Sequence, residues 1–324
     1  MMRALRLTSL DGPDALEMQE IAAPDDAGDV IIDVHAAGVA FADLLTTRGK
    51  YQVKQDLPFT PGAEVAGTVR SAPAGSGFAP GDRVAAMAKS GAWAEIAAAA
   101  PLVTFRIADA MTFEEATALP VNYQTSYFGL IVRGQLRRGE TVLVHGAAGG
   151  VGTAAVQIAR GAGTIVIAVA QGDEKMRIAG EAGAQHCIDA DSDWLAAVRA
   201  LTDNRGVDVV YDPVGGDRFT DSVRSLAPAG RLLVIGFAGG TIPSVQVNRL
   251  LLRNTSVVGV AWPEYIRVDP TMPQTVAAGL AKMYAEGFIT PLVSKRYPLD
   301  RGAEALRDLE GRRATGKIVL IVRD

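Results

Sequence analysis

The sequence has almost no cysteine: Cys187 is the one thiol in 324 residues. A single cysteine forms no intramolecular disulfide, and no cysteine cluster is available for structural zinc or an iron–sulfur centre. Histidine is also scarce. His35, His145 and His186 are scattered without metal-ligand spacing, and each reads as a satisfied strand-end or surface residue. No segment approaches the roughly 18 consecutive apolar residues of a membrane-spanning helix. Arg3, Arg6 and Asp11 interrupt the first residues before a signal-peptide core could form. A cytoplasmic protein with no membrane partner is the expectation. There is no block of five or more basic residues, and 32 Lys and Arg against 36 Asp and Glu leave a net charge of −4. That balance argues against nucleic acid as the main ligand. Only 7 of the basic residues are lysines, so a lysine in a chemically suggestive position carries weight.

What is present is a chain long enough for two domains at roughly 100 to 200 residues each. With 48% apolar and 21% charged residues it falls in the globular range. Up to about Val121 it reads as short strands separated by turns. VIIDVHAAGV (Val30 to Val39), EVAGTVRSA (Glu64 to Ala72) and DRVAAMA (Asp82 to Ala88) are β-rich, with breaks at Pro58, Pro61–Gly62, Ala74–Gly75 and Pro80–Gly81. The pattern predicts an antiparallel β domain. From about Asn122 strands alternate with helices. TVLVH (Thr141 to His145), TIVIAVA (Thr164 to Ala170), VDVVYD (Val207 to Asp212), RLLVIGF (Arg231 to Phe237) and TSVVGV (Thr255 to Val260) are near-continuous apolar runs, as expected of strands covered on both faces. Gly183 is placed to stop a helix over 173–184, and the alternation predicts a doubly wound parallel sheet over 122–262. Residues 263–324, with helices near Pro273 to Glu286 and Asp300 to Leu309 and a last strand Lys317 to Val322, are too few to stand alone. They are expected to return to the first domain.

The strongest local signal is His145-Gly-Ala-Ala-Gly-Gly-Val-Gly152, between an apolar strand and the helix TAAVQIAR, within a βαβ-sized span from Thr141 to Ala170. Ala147 stands where a strict G-x-G-x-x-G would have its first glycine, so an ordinary tight turn is the competing reading. In this context the loop Ala148, Gly149, Gly150, Val151 and Gly152 is predicted to bind a dinucleotide. Gly149 and Gly150 would admit the pyrophosphate, Gly152 would let the helix pack on the strand, and the helix N-terminus would face the phosphates. The second strand ends in Ala168-Val-Ala-Gln171 with no carboxylate, and Lys175 follows. That favours a 2′-phosphate and hence NADPH over NADH, against a solvated-helix reading of Lys175. Asp173, Asp189 and Asp191 weigh the other way.

Gly139 to Arg160, GETVLVHGAAGGVGTAAVQIAR, resembles the signature of the quinone oxidoreductase/zeta-crystallin family of medium-chain dehydrogenases/reductases. The likeness extends to GVAFADLLTTRGKY (Gly38 to Tyr51), PFTPGAEVAGTV (Pro58 to Val69), APGDRV (Ala79 to Val84), YDPVGG (Tyr211 to Gly216), VIGFAGG (Val234 to Gly240), LLLRNTSVVGV (Leu250 to Val260) and TGKIVL (Thr315 to Leu320). The resemblance implies an α/β architecture: a Rossmann NADPH-binding domain over 122–262, and a GroES-like β-rich catalytic domain built from 1–121 and 263–324, with the active site in the cleft. It implies no metal. The zinc-ligand positions of the zinc alcohol dehydrogenases fall at Ala40, Ala63 and near Val121. Without a Lewis acid, alcohol oxidation is disfavoured, whereas hydride addition to a quinone or unsaturated carbonyl needs only hydrogen-bond donors and a proton source.

By the same likeness Tyr51 and Asp43 are the catalytic candidates, with two readings open: chemistry, or shaping the cleft wall. Thr125 matches the threonine at the nicotinamide end, Val214, Gly236 and Phe237 match strand-end positions lining the cofactor, and Lys317 matches the C-terminal position near it. Three positions depart from the family: Ala40 replaces an asparagine, Ala190 a tyrosine of the 2′-phosphate site, and Pro213 a small polar residue. A quinone or activated-alkene reductase is the leading expectation. An enoyl-thioester or 2-alkenal reductase with Arg48, Lys50 and Lys54 at a cleft mouth stays open, as does a non-catalytic NADPH-binding protein. Relatives pair as dimers through the edge that corresponds to Ser256–Val260, so a homodimer is expected.

Overall fold

The computed structural model describes residues 1–25, 28–88, 91–311 and 313–323. In chain order it runs β1 (Met2–Leu7), β2 (Leu16–Ile21), β3 (Val30–Val39), α1 (Phe41–Thr47), β4 (Glu64–Ser71), β5 (Arg83–Met87), β6 (Ile96–Ala99), β7 (Thr104–Arg106), α2 (Phe113–Ala116) and α3 (Gln124–Tyr127). There follow β8 (Thr141–His145), α4 (Gly150–Gly161), β9 (Ile165–Ala170), α5 (Gly172–Ala182), β10 (His186–Asp189), α6 (Trp194–Leu201), β11 (Val207–Asp212), α7 (Phe219–Ser225) and β12 (Leu226–Val234). The last elements are α8 (Val247–Arg253), β13 (Ser256–Gly259), α9 (Trp262–Val268), α10 (Met272–Ala285), β14 (Val293–Pro298), α11 (Gly302–Glu310) and β15 (Lys317–Ile321). The chain divides into two units: Met1–Val121 with Pro273–Ala277 and Pro291–Asp324, and Asn122–Met272 with Ala278–Thr290.

The first unit is built on a sheet ordered β14-β15-β3-β4-β5-β7, with β6 also pairing β3 and a separate β1–β2 hairpin. All its pairings are antiparallel except β14 with β15. β3 is the central strand and is buried along most of its length, which is why its sequence is nearly all apolar. Its side chains join Val65, Trp93, Leu306 and Leu320 in one core. Trp93 is fully buried and donates its indole N–H to the Gly38 carbonyl at 3.0 Å.

The second unit is a six-stranded parallel sheet ordered β10-β9-β8-β11-β12-β13. Numbered from β8, this is the 3-2-1-4-5-6 order of a doubly wound dinucleotide fold. Leu143, Ile167, Val210 and Leu232 fill its core with Val198 and Phe219 from the helices. Gly183 ends α5 in the left-handed region at φ 115°, a conformation that favours glycine.

The structure differs from the sequence reading at three places. β10 was not anticipated, because it is a four-residue edge strand whose His186 and Cys187 are exposed. β12 starts at Leu226 instead of Arg231, through an irregular register at Pro228–Gly230 where Ala229 has φ 61°. Most of 263–290 packs in the second unit instead of returning to the first. Small residues make that packing possible: a β-carbon on Gly161 would meet Met283 at 2.3 Å, and one on Gly279 would meet the Tyr127 hydroxyl at 2.3 Å. Gln157 then clamps the segment end, donating to the Thr290 carbonyl at 2.8 Å and accepting from the Thr290 amide at 2.9 Å.

The tightest contact in the second unit is at Gly152, where a β-carbon would lie 2.1 Å from the Gly146 carbonyl oxygen. Backbone cannot yield as a flexible side chain can. Gly152→Ala is expected to cost about 2 to 3 kcal/mol or more in urea unfolding; a variant as stable as the parent would show that the loop relaxes freely.

Candidate functional site

In the second unit the glycine loop leaves β8 at Gly146, turns through a Gly149 to Gly146 hydrogen bond of 3.0 Å, and enters α4 with Gly149 as N-cap. No side chain caps this end. The first-turn amides of a helix lack intrahelical acceptors, so those of Gly150, Val151 and Gly152 remain as donors for an anion at the positive end of the helix. Gly152 holds the helix against Gly146 as expected. Gly150 has another reason: its β-carbon would strike the Asn122 amide nitrogen at 2.3 Å. Ala148 is buried beneath the loop.

Thr125 lies in α3, flanked by two wider helical turns, Leu119–Tyr123 and Phe128–Arg133. Such i→i+5 turns occur often at functional sites. Ser126, next to Thr125, donates to the Val151 carbonyl at 3.0 Å and lies 2.9 Å from the Tyr211 hydroxyl. Tyr123 donates to Gln157 at 2.7 Å. Ser126 thus ties this helix both to the start of α4 and to Tyr211 on β11, with Asn122 packed against Gly150, and none of the three was singled out from the sequence.

The loop after β11 packs on the glycine loop, and the loop after β12 packs on that of β11. Asp212 accepts from the amides of Val214 and Gly215, both at 2.9 Å, and the Pro213 and Val214 carbonyls accept from Ala238 and Gly239. A β-carbon on Gly146 would touch Val214 at 3.3 Å, and one on Gly215 would meet Phe237 at 3.0 Å. Val214 is therefore brought beside the glycine loop, and Phe237, next to Gly236, packs on Gly215 of the loop after β11. Pro213, unexplained by the sequence, is accommodated because Asp212 serves the next two amides and the proline only has to accept. His145 is buried beneath, with its Nε2 3.0 Å from the Ser222 hydroxyl and its ring edge-on to Trp194. Burial pushes it down to about 4 despite the nearby Asp212 charge, so it is neutral at pH 7. Lys175 is half-buried in the first turns of α5.

The remaining candidates, Tyr51, Asp43 and Lys317, lie in the first unit. Asp43 is buried on α1 and accepts from the Ala40 amide at 2.8 Å, bracing the helix start in place of an N-cap side chain. Glu64 on β4 and Lys317 on β15 form a buried ion pair. The space for it comes from Gly38 on β3, whose β-carbon would fall 2.7 Å from both the Glu64 carboxylate and the Lys317 side chain. Burial pushes the Glu64 carboxyl up against the pull of Lys317. Burial and the Glu64 charge push Asp43 up to about 7, opposed by the Ala40 and Gly62 amides and by Lys317. Lys317, expected near a cofactor, is 2% exposed and is the counter-ion of Glu64. Tyr51 is half-buried, two residues after Gly49 at the end of α1. Arg48 pairs with Glu310 at 2.5 Å, and the Lys54 ammonium donates to the Gly49 carbonyl. Ala40, Ala63 and Val121 offer only hydrocarbon, and among the described residues no group of three His, Cys, Asp or Glu is placed to hold a metal. Zinc does not fit these positions.

Comparison with known proteins agrees with this division. Residues 26–109 match the alcohol dehydrogenase GroES-like domain family, and 150–280 the family described as zinc-binding dehydrogenase. Quinone oxidoreductase-like protein 2 of Rattus norvegicus is 38% identical over 99% of this chain and 92% of its own length. The chain belongs to the quinone oxidoreductase family of medium-chain dehydrogenases/reductases. Among solved structures, a probable oxidoreductase from Mycobacterium abscessus superposes at a TM-score of 0.91 with 46% identity over 99% of both chains. Escherichia coli quinone oxidoreductase complexed with NADPH does so at 0.90 with 27% identity, over 99% of this chain and all of that one. The Rossmann and GroES-like units of this quinone oxidoreductase family member correspond to the second and first units above.

A carboxyl raised to about 7 is protonated in the fold where an unfolded aspartate, near 4, is ionised. The stability it contributes is full below pH 4 and lost as pH rises through about 7. Asp43→Asn keeps an acceptor for the Ala40 amide and removes the titration. The stability of wild type relative to this variant, from denaturation at several pH values, is expected to fall between pH 5 and pH 8; a constant difference would contradict the shift.

Proposed function

We propose that this protein is an NADPH-dependent, zinc-independent oxidoreductase that transfers a hydride to a quinone or an activated alkene. The observation that carries the reading is the uncapped, glycine-lined start of α4 at the carboxyl end of β8, packed closely on Gly146, where the first-turn amides have no side-chain acceptor. That is the donor set a pyrophosphate requires. The NADPH complex of the Escherichia coli quinone oxidoreductase supports the choice of nucleotide. Gly149, Gly150, Val151 and Gly152 would hold the pyrophosphate, Lys175 the 2′-phosphate, and Thr125, Val214, Gly236 and Phe237 the nicotinamide end.

When bound, reduced nicotinamide supplies the hydride. The chain's task is then to bind, exclude water and stabilise charge on the acceptor oxygen. Hydrocarbon at 40, 63 and 121 gives no Lewis acid for an alkoxide, which points away from alcohols and toward acceptors that are already electron-poor. Tyr51, whose phenolic hydroxyl is a hydrogen-bond donor, is assigned as the donor to the developing oxyanion. Asp43 braces the start of α1, the helix that precedes Tyr51 in the chain. The thioester alternative loses ground because Arg48 and Lys54 are engaged within their own unit.

A homodimer and a reducing, cytoplasmic setting complete the reading. β13 forms the edge of the parallel sheet, and Val247, Leu251 and Leu252 on the preceding helix are more than 70% exposed. Such an edge is suited to a second copy, and sedimentation velocity tests it. The lone Cys187 thiol is exposed and unbridged.

An acceptor panel of 1,4-benzoquinone, 9,10-phenanthrenequinone, 2-alkenals and crotonyl-CoA is expected to show NADPH oxidation with the quinones or alkenals. Turnover of the thioester alone would overturn the assignment. In the active assay Tyr51→Phe should lower kcat at least tenfold with NADPH affinity intact, and an unchanged kcat would leave Tyr51 a packing residue. Lys175→Glu should weaken NADPH at least tenfold, about 1.4 kcal/mol, and NADH by less than threefold. Equal losses would remove the 2′-phosphate role.

A further inference from the structure

The carboxyl end of β9 is the place where a doubly wound fold reads the adenosine ribose, ordinarily with an acidic residue of that strand. Here the strand ends at Ala170, and the next residue is the amide Gln171. The fold nevertheless delivers a carboxylate to this point from the neighbouring strand. Asp191, just beyond β10, accepts from the Gln171 side-chain amide at 2.9 Å. Its other oxygen lies 3.6 Å from the Arg218 guanidinium, carried on the loop after β11. β9 and β8 lie between β10 and β11 in the sheet, so this ion pair ties together loops from either side of the crevice at the carboxyl ends of the strands.

The other acids nearby are differently engaged. Asp189 turns its Oδ1 to the amides of Asp191 at 3.0 Å and Gly172 at 3.4 Å, so it shapes the turn. Asp173 lies exposed in the first turn of α5. Only Asp191 among them is bonded to the side chain that ends β9 and to a cation from across the crevice. Its side chain is 60% exposed, so its charge faces whatever enters there.

We propose that Asp191 is a specificity-determining residue for the coenzyme. It accepts a hydrogen bond from a ribose 2′-hydroxyl, opposes a 2′-phosphate, and withholds Arg218 from that phosphate, so that the site admits NADH as well as NADPH. This rests on the nucleotide site proposed above and goes beyond it by naming the group that limits the preference for NADPH. Lys175 and Asp191 are then opposing charges at one end of the site, and the preference reflects their balance.

The test uses probes that carry only this end of the coenzyme. Calorimetric titration of the full chain with 2′,5′-ADP and with 5′-AMP is made for wild type and for Asp191→Asn, which keeps an acceptor for Gln171. The variant is expected to bind 2′,5′-ADP five- to tenfold more tightly, with 5′-AMP unchanged or weaker, and the gain should shrink as salt is raised. A 2′,5′-ADP affinity that is unchanged or lower, or equal changes for both probes, would overturn the proposal while leaving the nucleotide site standing. Wild type that binds neither probe would overturn the site and this inference together. Unaltered thermal unfolding of the variant confirms that the loop is intact.

Discussion

The second unit depends on a helix set closer to a loop than any side chain would permit. With Gly152 against the Gly146 carbonyl, the axis of α4 is fixed relative to β8, and the direction of its first-turn amides is fixed with it. Gly150 against Asn122 and Ser126 against the Val151 carbonyl then lock the neighbouring helix onto the same end. Val214 approaches Gly146 from the other side, on a turn that Asp212 holds by two amides. Each of these groups is placed by the one before it. The result is a helix start whose first-turn amides have no side-chain cap.

The first unit solves a different problem. A carboxylate buried without compensation is strongly unfavourable, and Glu64 is balanced by one lysine in a slot that Gly38 leaves open. Asp43 sits in the same field, and burial pushes its carboxyl up to about 7. Ionisable groups are thus concentrated next to positions 40, 63 and 121, where donors for a metal are replaced by hydrocarbon. The interior keeps buried ionisable groups beside positions whose side chains offer only hydrocarbon.

Much of this was legible in the sequence. β3, β8 and β11 match their apolar runs residue for residue, because strands covered on both faces leave continuous hydrophobic text. The glycine loop and its helix were readable for the same kind of reason, since strand, loop and helix are adjacent in the chain. What failed was non-local. β10 is short and half exposed, so it carries no apolar signal. The segment 263–290 was placed by its length, whereas its docking depends on glycines more than a hundred residues away, such as Gly161. Nothing local to Lys317 reveals that it pairs with Glu64, 253 positions away. Asp191 looked like one of three scattered acids until the sheet order brought it to Gln171.

The Glu64–Lys317 pair also bears on how the chain is assembled during synthesis. The two residues are 253 positions apart, and the strands that carry them, β4 and β15, flank β3 on opposite sides. As the polypeptide emerges, β3 and β4 are made early, but Glu64 stays without its cation until the whole nucleotide-binding unit has been translated. The intervening unit, whose parallel sheet is complete by β13, can form in that interval. The first unit therefore gains the strand that completes β3's second flank and the cation that balances Glu64 together, from the last residues of the chain to be made.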